Sequence, residues 1–218
     1  MNSSIFREYD IRGIAEDDLK DNVVEDIGLA IGTIYAKKGI RKISLGRDCR
    51  KSSRRIFDTL SSSIIRTGVS IVDLGLITTP VLYFSLYGLD VDGGIMITAS
   101  HNPSDYNGFK AAIGKNVLSP DEIQEIKRII EKRSFVIKNN HGKIEELDLI
   151  ENYKKDILKS ISLKRKLRIG VDCANTPIGL FAKDIMTSAG CEVYDLFTEP
   201  DGDFPNHHPD PSVEENLK

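Results

Sequence analysis

The sequence predicts an α/β fold of two consecutive domains, with helices on both faces of mixed, mostly parallel sheets. Segments with an apolar period of about 3.6 residues alternate with short β-branched runs along most of the chain, a pattern typical of helices packed on a mostly parallel sheet. The 218 residues, 40% hydrophobic and 29% charged, are enough to bury one large core or two modest ones.

The first domain is predicted to span residues 1–145 and to contain a βαβ unit. A β-branched strand at residues 42–46 is followed by an amphipathic helix that Ser52 or Ser53 can cap, and then by a strand at residues 69–75. Because a helix connects these two strands, we expect them to pair in parallel.

Two further helices of this domain carry start signals in the sequence. Asn22 and Glu25 have the spacing of a capping pair. Ser119, Pro120 and Glu122 place a cap, a proline at the first helical position and an acidic residue three positions after the cap. The remaining predicted elements are a short helix that begins at 79–80 and strands at 95–98 and 107–113.

The second domain is predicted to span residues 146–218 and to be incomplete. Residues 134–146 lose the helical period and contain an Asn-Asn-His-Gly turn, which favours a domain boundary there. Sheets usually have four to six strands, whereas only two strands are predicted here, so we expect the chain to be a piece of a longer protein. The predicted elements are a helix from 150, a strand at 166–174, a helix at 177–190, a strand at 191–197 and a proline-rich extended tail at 199–218.

Charge and cysteine content bound the classes of function. The 30 basic and 33 acidic residues give a net charge of −3, too balanced to favour a partner such as nucleic acid or an anionic membrane. The polar first residues lack the apolar region of a secretory signal, and no apolar run approaches the length of about 20 residues that spans a bilayer, so we expect a cytoplasmic protein. The three cysteines are widely spaced and are predicted to be reduced.

The stretch GGIMITASHNPSDYNGFK, residues 93–110, carries the strongest chemical signal. Ligands of open α/β sheets bind beyond the carboxyl ends of the strands, which is where Ser100 falls. Ser100, His101, Asn102 and Lys110 offer a nucleophilic oxygen, a titratable ring, an amide and a cation, a combination suited to carrying an anionic group such as phosphate. From residue chemistry alone, a simple turn remains the alternative, because Ser, Asn and Pro all favour turns.

Five stretches in order resemble the α-D-phosphohexomutase superfamily, and the tail is most similar to its bacterial phosphomannomutase/phosphoglucomutase branch. ITASHNPSDYNGFK resembles the phosphoserine loop of the family, and FREYDIRG its N-terminal segment. Together these stretches extend over nearly the whole chain. They lie at residues 6–13, 46–53, 78–84, 97–110 and 201–211.

The resemblance implies a mechanism and roles for matching residues. Ser100 would carry a phosphate, pass it to a hexose monophosphate, and recover the other phosphate of the resulting 1,6-bisphosphate, so that a 1-phosphate and a 6-phosphate interconvert. Rate in phosphoryl transfer comes from alignment and from stabilisation of charge. Arg12 and Lys110 match family positions that support transfer, with Lys110 favoured as an electrostatic clamp. His101 would assist beside the phosphoserine, and Tyr9 would line the sugar site.

Other residues are expected to have supporting roles. Asn102 and Asn107 are predicted to fix its loop through bonds from side chain to backbone. Arg47, Asp48 and Arg50 are predicted to brace the loop above their strand through an ion pair, as scaffold rather than as catalytic residues.

The resemblance also implies Mg²⁺ as a cofactor and a hexose 1,6-bisphosphate as activator and intermediate. The only metal contact expected within the chain is through the phosphate of Ser100, because the carboxylate ligands of the family's metal loop are expected beyond Lys218, together with domains III and IV. Asp201 and Asp203 are predicted to form a turn rather than that metal site. The chain also departs from the family at residues 172–179, where Thr176 and Pro177 replace a glycine, a change that still allows a helix to begin.

These expectations predict that the chain is part of a phosphohexomutase. Residues 1–218 alone are predicted to be inactive. The alternatives are a phosphoglucosamine mutase and a non-catalytic module that binds sugar phosphates. The preferred hexose, the oligomeric state and the phosphorylation state of Ser100 are left open by the sequence.

Overall fold

A computed structural model describes residues 2–217 of the chain. In chain order, the strands and α-helices are β1 Ile11–Ile14, α1 Asp21–Lys37, β2 Lys42–Arg47, α2 Ser53–Ile65, β3 Ser70–Leu76, α3 Thr79–Gly88, β4 Gly93–Ile97, β5 Tyr106–Ile113, β6 Asn116–Val117, α4 Pro120–Glu131, β7 Ile144–Glu146, α5 Ile150–Lys159, β8 Arg168–Asp172, α6 Ala182–Ser188 and β9 Glu192–Leu196. Short 3-10 helices occupy Ser3–Ile5, Pro177–Leu180 and Glu214–Leu217.

The first sheet is mixed, with the strand order β1-β5-β4-β2-β3-β7 and β6 paired to β5. The strands β4, β2, β3 and β7 run parallel to one another, whereas β1 and β4 pair antiparallel to β5. The parallel pairing of β2 with β3 around α2 confirms the predicted βαβ unit. This arrangement places β4 between β2 and β5, so the loops after β2 and β4 leave the same edge of the sheet.

The second sheet contains the parallel pair β8 and β9 among the described residues. The helices α5 and α6 accompany it, as the apolar spacing predicted. The α/β class with two consecutive units is thereby confirmed. The strand β7 pairs with β3 of the first sheet, so the predicted boundary between residues 145 and 146 falls inside a strand, and it stays a prediction.

The apolar core consists of two clusters. The larger packs α1, α2 and α4 against the first sheet. The smaller lies under α3 and includes side chains from both units, among them Leu149, Phe181 and Ile185. Tyr153 contacts the rings of Phe84 and Phe181 edge to face, with centroids 5.5 and 5.7 Å apart. Apolar packing therefore holds the second unit against α3 of the first.

Helix caps show where local sequence signals succeed. The capping box of Ser119 and Glu122 is confirmed. The predicted pair of Asn22 and Glu25 is wrong, because α1 begins at Asp21 and Glu25 instead pairs with Arg66 at 2.6 Å.

None of the helices within residues 2–217 is long and apolar enough to cross a membrane.

The predicted caps at Ser52 and Ser53 are only half correct. Ser52 does occupy the cap position of α2, but its side chain makes no capping bond there. Both hydroxyls instead accept hydrogen bonds from the side-chain amide of Asn107, each at 2.9 Å. The start of α2 is thereby tied to the neighbouring strand β5.

Candidate functional site

Ser100 lies just beyond the carboxyl end of β4, in the loop formed by residues 98–105, called the serine loop below. The strand β4 is buried along its whole length, so the serine loop begins from a well-packed strand. The φ angle of Ser100 is 59°, in the left-handed region that a residue with a side chain rarely adopts. Its backbone N–H donates to the Thr98 hydroxyl at 3.0 Å. The surrounding structure therefore holds Ser100 in a conformation that an isolated chain would avoid.

A cavity of about 550 Å³ opens in front of Ser100. The first unit contributes Ser100, His101 and Lys110 to its wall, together with the start of α3. The second unit contributes the turn after β8 and the tail around residues 207–211. Its volume falls in the range of small-molecule sites, and such sites are common between domains. The structure thus brings together three of the residues that the sequence selected, at a place suited to a ligand.

The side chain of Arg50 encloses the back of the serine loop. Its guanidinium donates to the carbonyl oxygens of Ser100 at 3.0 Å and Asn102 at 2.7 Å, and also to the carbonyl of Pro103. A further bond of 3.2 Å reaches the carbonyl of Tyr106 at the start of β5. The planar, charged guanidinium of Arg50 therefore orients three carbonyl groups of the serine loop and one at the start of β5.

Arg50 is itself fixed by Asp48. The Arg50 side chain is 0% exposed and pairs with the Asp48 carboxylate at 3.1 Å. Asp48 also accepts from the Ser53 hydroxyl at 2.5 Å. Burial lowers the pKa of the Arg50 guanidinium, an effect that the adjacent Asp48 opposes; a guanidinium nevertheless stays charged at neutral pH. The expected ion pair of Asp48 and Arg50 is present, but most bonds of Arg50 are to the backbone of the serine loop rather than to the loop above its own strand.

Arg47 departs from the predicted brace. It points to Asp73 on β3, with 3.5 Å between its Nη1 and the carboxylate, and its guanidinium lies 5.0 Å from the centre of the Phe57 ring. Arg47 therefore links β2 to β3 and α2 rather than to the serine loop.

Arg12 and Tyr9 lie outside the described lining of the cavity. Arg12 extends from β1 to the serine loop, where it donates to the side-chain oxygen of Asn102 at 2.6 Å, and it also pairs with Asp10. Tyr9 is 65% exposed. The structure consequently connects Arg12 to the serine loop through Asn102, while the expected role of Tyr9 at a sugar site stays a prediction.

Asn102 links the serine loop to two arginines, whereas the bonds of Asn107 run to Gly108 and to the start of α2, so the predicted fixing of the loop by both asparagines stays a prediction. Asn102 uses its side chain to accept from Arg12, and its backbone carbonyl accepts from Arg50. Asn107 accepts from the backbone N–H of Gly108 at 2.8 Å and donates to two serine hydroxyls at the start of α2. Asn107 is 0% exposed, so its amide has exchanged water entirely for protein partners.

His207 fixes the tail that closes the cavity. Its Nδ1 lies 3.0 Å from the carbonyl oxygen of His208 and its Nε2 lies 2.8 Å from the carboxylate of Asp172. Both partners can only accept, so the ring satisfies both when it carries two protons. The bond to His208 and the charge of Asp172 raise the pKa of His207. The ring thus ties the tail to the end of β8.

The described residues do not provide a magnesium site. No group of three or more His, Cys, Asp or Glu side chains within residues 2–217 is arranged to hold a metal ion. The Asp48 carboxylate beside the serine loop is already engaged by Arg50 and Ser53. The turn at Asp201 is stabilised by the N–H of Asp203, which donates to the Asp201 carboxylate at 2.9 Å. The carboxylates of Asp48 and Asp201 are therefore engaged by protein partners.

Comparison with known families identifies the chain. Residues 3–137 match the model of phosphoglucomutase/phosphomannomutase, alpha/beta/alpha domain I, and residues 148–218 match that of alpha/beta/alpha domain II. The chain belongs to the phosphoglucomutase/phosphomannomutase family. The resemblance to the N-terminal portion of the superfamily is thereby confirmed.

Named relatives agree with this membership. The chain is 43% identical to a phosphoglucomutase of Neisseria gonorrhoeae over 218 residues, which are 100% of this chain and 47% of the relative. It is 38% identical to a phosphomannomutase/phosphoglucomutase of Pseudomonas aeruginosa strain PAO1, with the same coverage of both proteins. The chain therefore spans about half the length of the curated relatives it matches.

Solved structures show the same fold. A phosphoglucomutase/phosphomannomutase family protein from Burkholderia thailandensis matches with a TM-score of 0.95 and 37% identity, over 100% of this chain and 49% of that one. A putative phosphomannomutase from Thermus thermophilus matches with a TM-score of 0.83 and 25% identity, over 97% of this chain and 49% of that one. The two α/β units and their arrangement are shared with these family members.

Sequence reasoning underestimated Arg50 and overlooked Phe204. The Arg50 guanidinium lies 5.2 Å from the centre of the Phe204 ring, although 154 positions separate them in the sequence. A weak signal was present, since Arg50 follows β2 at the same sheet edge that carries Ser100. The contact with Phe204 has no local signal, because it depends on how the two units pack.

Proposed function

We propose that the chain is part of a phosphohexomutase that interconverts hexose 1-phosphates and hexose 6-phosphates, with Ser100 as the phosphate carrier. One observation carries the proposal: in a chain of this family, Ser100 stands in a constrained conformation at a cavity that His101 and Lys110 also line. Ser100 lies in a turn closed by the bond from the Asn102 N–H to the Ala99 carbonyl, and this turn is at the wall of the cavity, where its hydroxyl is available to a ligand.

The proposed reaction consists of two reciprocal transfers. In the first, the bond between the Ser100 oxygen and phosphorus breaks while a sugar hydroxyl oxygen bonds to that phosphorus. The hydroxyl loses its proton and the serine oxygen gains one, which yields a hexose 1,6-bisphosphate. After the sugar turns over, the other phosphate returns to Ser100 by the reverse exchange. The protein contributes chiefly alignment and charge stabilisation in such transfers.

The residues around Ser100 are assigned roles on this basis. Lys110 neutralises charge on the transferring phosphoryl group as an electrostatic clamp, and His101 donates a hydrogen bond to its oxygens. Arg12 supports the loop through Asn102, with which it shares a bond of 2.6 Å. Tyr9 is proposed to contact the sugar.

The complete activity is proposed to need more than the described residues. A phosphoserine carries nearly two negative charges, and Mg²⁺ would offset them, with its carboxylate ligands expected beyond Lys218. Domains III and IV are proposed to complete the sugar site, and a hexose 1,6-bisphosphate to prime Ser100. Residues 1–218 alone are accordingly proposed to lack turnover. A cytoplasmic location belongs to the same proposal.

Phosphate mapping tests the assignment of Ser100. The longer protein of which this chain is proposed to be a part, called the parent protein below, is incubated with glucose 1,6-bisphosphate and magnesium. Phosphopeptides are then located by mass spectrometry. We expect phosphate on Ser100 in the native protein and none in the Ser100→Ala variant. Ser104→Ala, which alters another serine of the same loop, is the matched control and should be phosphorylated like the native protein. Phosphate only at Ser104 or at no loop serine would reject the assignment.

Phosphate mapping combined with calorimetry tests the non-catalytic alternative, and kinetic measurements test the other mutase. A module that only binds sugar phosphates would show saturable binding of glucose 6-phosphate in calorimetry but no covalent phosphate on Ser100. A phosphoglucosamine mutase is distinguished by comparing kcat/KM of the parent protein for glucose, mannose and glucosamine phosphates.

A further inference from the structure

The guanidinium of Arg50 is held from two sides. One side faces the serine loop, to which it donates the bonds to Ser100, Asn102 and Pro103. The other side faces the ring of Phe204, 5.2 Å from its centre. Phe204 belongs to residues 201–206 of the second unit, called the docking segment below. Arg50 is therefore a residue through which the second unit contacts the support of the serine loop.

Phe204 is held in this position at a conformational cost. Its φ angle is 51°, which is unusual for a bulky residue, and its exposure is only 8%. A ring placed over a buried guanidinium gains cation–π attraction and removes the charge from water. The surrounding packing must therefore compensate for the backbone strain.

Close backbone contact fixes the rest of the docking segment. A Cβ atom added at Gly202 would lie 2.5 Å from the Cys49 carbonyl oxygen and 2.8 Å from the Arg50 Cα, so only glycine allows this approach. The thiol of Cys49 donates to the carbonyl of Asn175 at 3.4 Å. The carboxylate of Asp203 pairs with Lys51 at 2.5 Å, an exposed contact that contributes little.

Asn175 connects the docking segment to β8 of the second unit. Its backbone carbonyl accepts from the N–H of Asp201 at 2.8 Å, its side-chain oxygen accepts from Asn206 at 2.7 Å, and its side-chain amide donates to the Glu199 carbonyl at 2.9 Å. Asn175 is 6% exposed. The segment that presents Phe204 is thus rigidly attached to the second unit on one side and to residues 49–51 on the other.

We propose that Phe204 and Arg50 form a positioning relay, through which the docked second unit holds the serine loop in the conformation that presents Ser100. Phe204 fixes the plane of the guanidinium, and the guanidinium fixes the four carbonyls. The effect on phosphate transfer rests on the function proposed above, whereas the effect on loop order does not. Because of this relay, the conformation that presents Ser100 depends on the packing of the second unit against the first.

The test compares two aromatic rings that stack on arginines. Phe204→Met removes the ring over Arg50 while nearly keeping the side-chain volume. Phe57→Met is the matched control, because Phe57 is 5% exposed and lies 5.0 Å from the guanidinium of Arg47, which does not contact the serine loop. Phe204→Tyr keeps a ring over Arg50 and should rescue the loop.

Amide hydrogen exchange provides the readout that does not depend on activity. The N–H of Asn102 donates to Ala99 at 3.2 Å and that of Tyr106 donates to Pro103 at 3.1 Å, so both report on loop order. We expect exchange at these amides to be roughly tenfold faster in Phe204→Met, which corresponds to the loss of one partly desolvated cation–π contact. Exchange in Phe57→Met and Phe204→Tyr should equal that of the native chain.

Phosphate transfer to Ser100 from glucose 1,6-bisphosphate provides the second readout, in the parent protein. We expect a roughly tenfold slower transfer in Phe204→Met and a native rate in Phe204→Tyr. Gly202→Ala disturbs the same docking without altering the ring, and it should reproduce the faster exchange if Phe204→Met does not fold.

The outcomes separate the relay from the proposed function. Equal loop exchange in Phe204→Met and Phe57→Met would overturn the relay, whatever the activity. Absence of phosphate on Ser100 in the native parent protein would overturn the function, while faster exchange confined to the variants at Phe204 and Gly202 would still support the relay.

Discussion

Replacing Arg50 by methionine should destabilise the first unit strongly. Arg50 is fully buried, pairs with Asp48, and donates to four backbone carbonyls. Methionine keeps the apolar stem but leaves those carbonyls and the Asp48 carboxylate, whose side chain is 11% exposed, without their cation. Removing one partner of a buried ion pair costs about 3–5 kcal/mol, and unpaired carbonyls add to the loss. We expect a decrease of about 3–5 kcal/mol in the free energy of unfolding.

Urea unfolding followed by circular dichroism measures this change. Arg54→Met is the matched control, because Arg54 and its partner Asp58 are 66% and 53% exposed, and such surface pairs contribute less than about 1 kcal/mol. Arg50→Lys should fall between the two, since an ammonium group cannot reach all four carbonyls. An Arg50→Met variant as stable as Arg54→Met would refute the view that Arg50 organises the serine loop.

Three further predictions concern single side chains near the cavity. Lys110→Met should slow phosphate transfer to Ser100 by about 100-fold or more, measured in single-turnover assays, with little change in thermal stability, because one charge stabiliser of the transition state is lost. The pKa of His207 is raised in the folded protein, so its stabilising effect is present below the unfolded pKa of about 6.5 and is lost as pH rises through the folded value. His207→Gln should therefore lower the unfolding midpoint more at pH 5.5 than at pH 8.5, and equal losses would contradict this. Burial raises the pKa of the Cys49 thiol to about 12, so iodoacetamide should label Cys49 far more slowly than glutathione at pH 8, as measured by mass spectrometry.

The relay and the cavity suggest why the two units are packed so closely beside the serine. Lys110 and His101 belong to the first unit, but the second unit also lines the cavity, through the turn after β8 and the tail around residues 207–211. A ligand held there would contact both units at once. Order in the serine loop and closure of the cavity would then depend on the same docking contacts, with Phe204 taking part in both.

The sequence by itself determined the elements that depend on local physics. The alternation of helical and β-branched segments led to the α/β class, and the Ser119 and Glu122 capping box was read correctly because its bonds form within one turn. Ser100, His101 and Lys110 were selected together because they lie near one loop and fall within eleven positions. Their common position at the cavity follows from the pairing of β4 with β5.

Only the tertiary structure decided which partners distant side chains take. Glu25 had the spacing of a capping residue, yet it pairs with Arg66, which directly follows α2, and the predicted cap does not form. Asn107 and Arg50 were expected to act locally, but each bonds to groups around 50 positions away. The stacking of Phe204 on Arg50 arises from the packing of two separate units. Such contacts carry no periodicity or spacing in the sequence, because they exist only once long-range burial has brought the elements together.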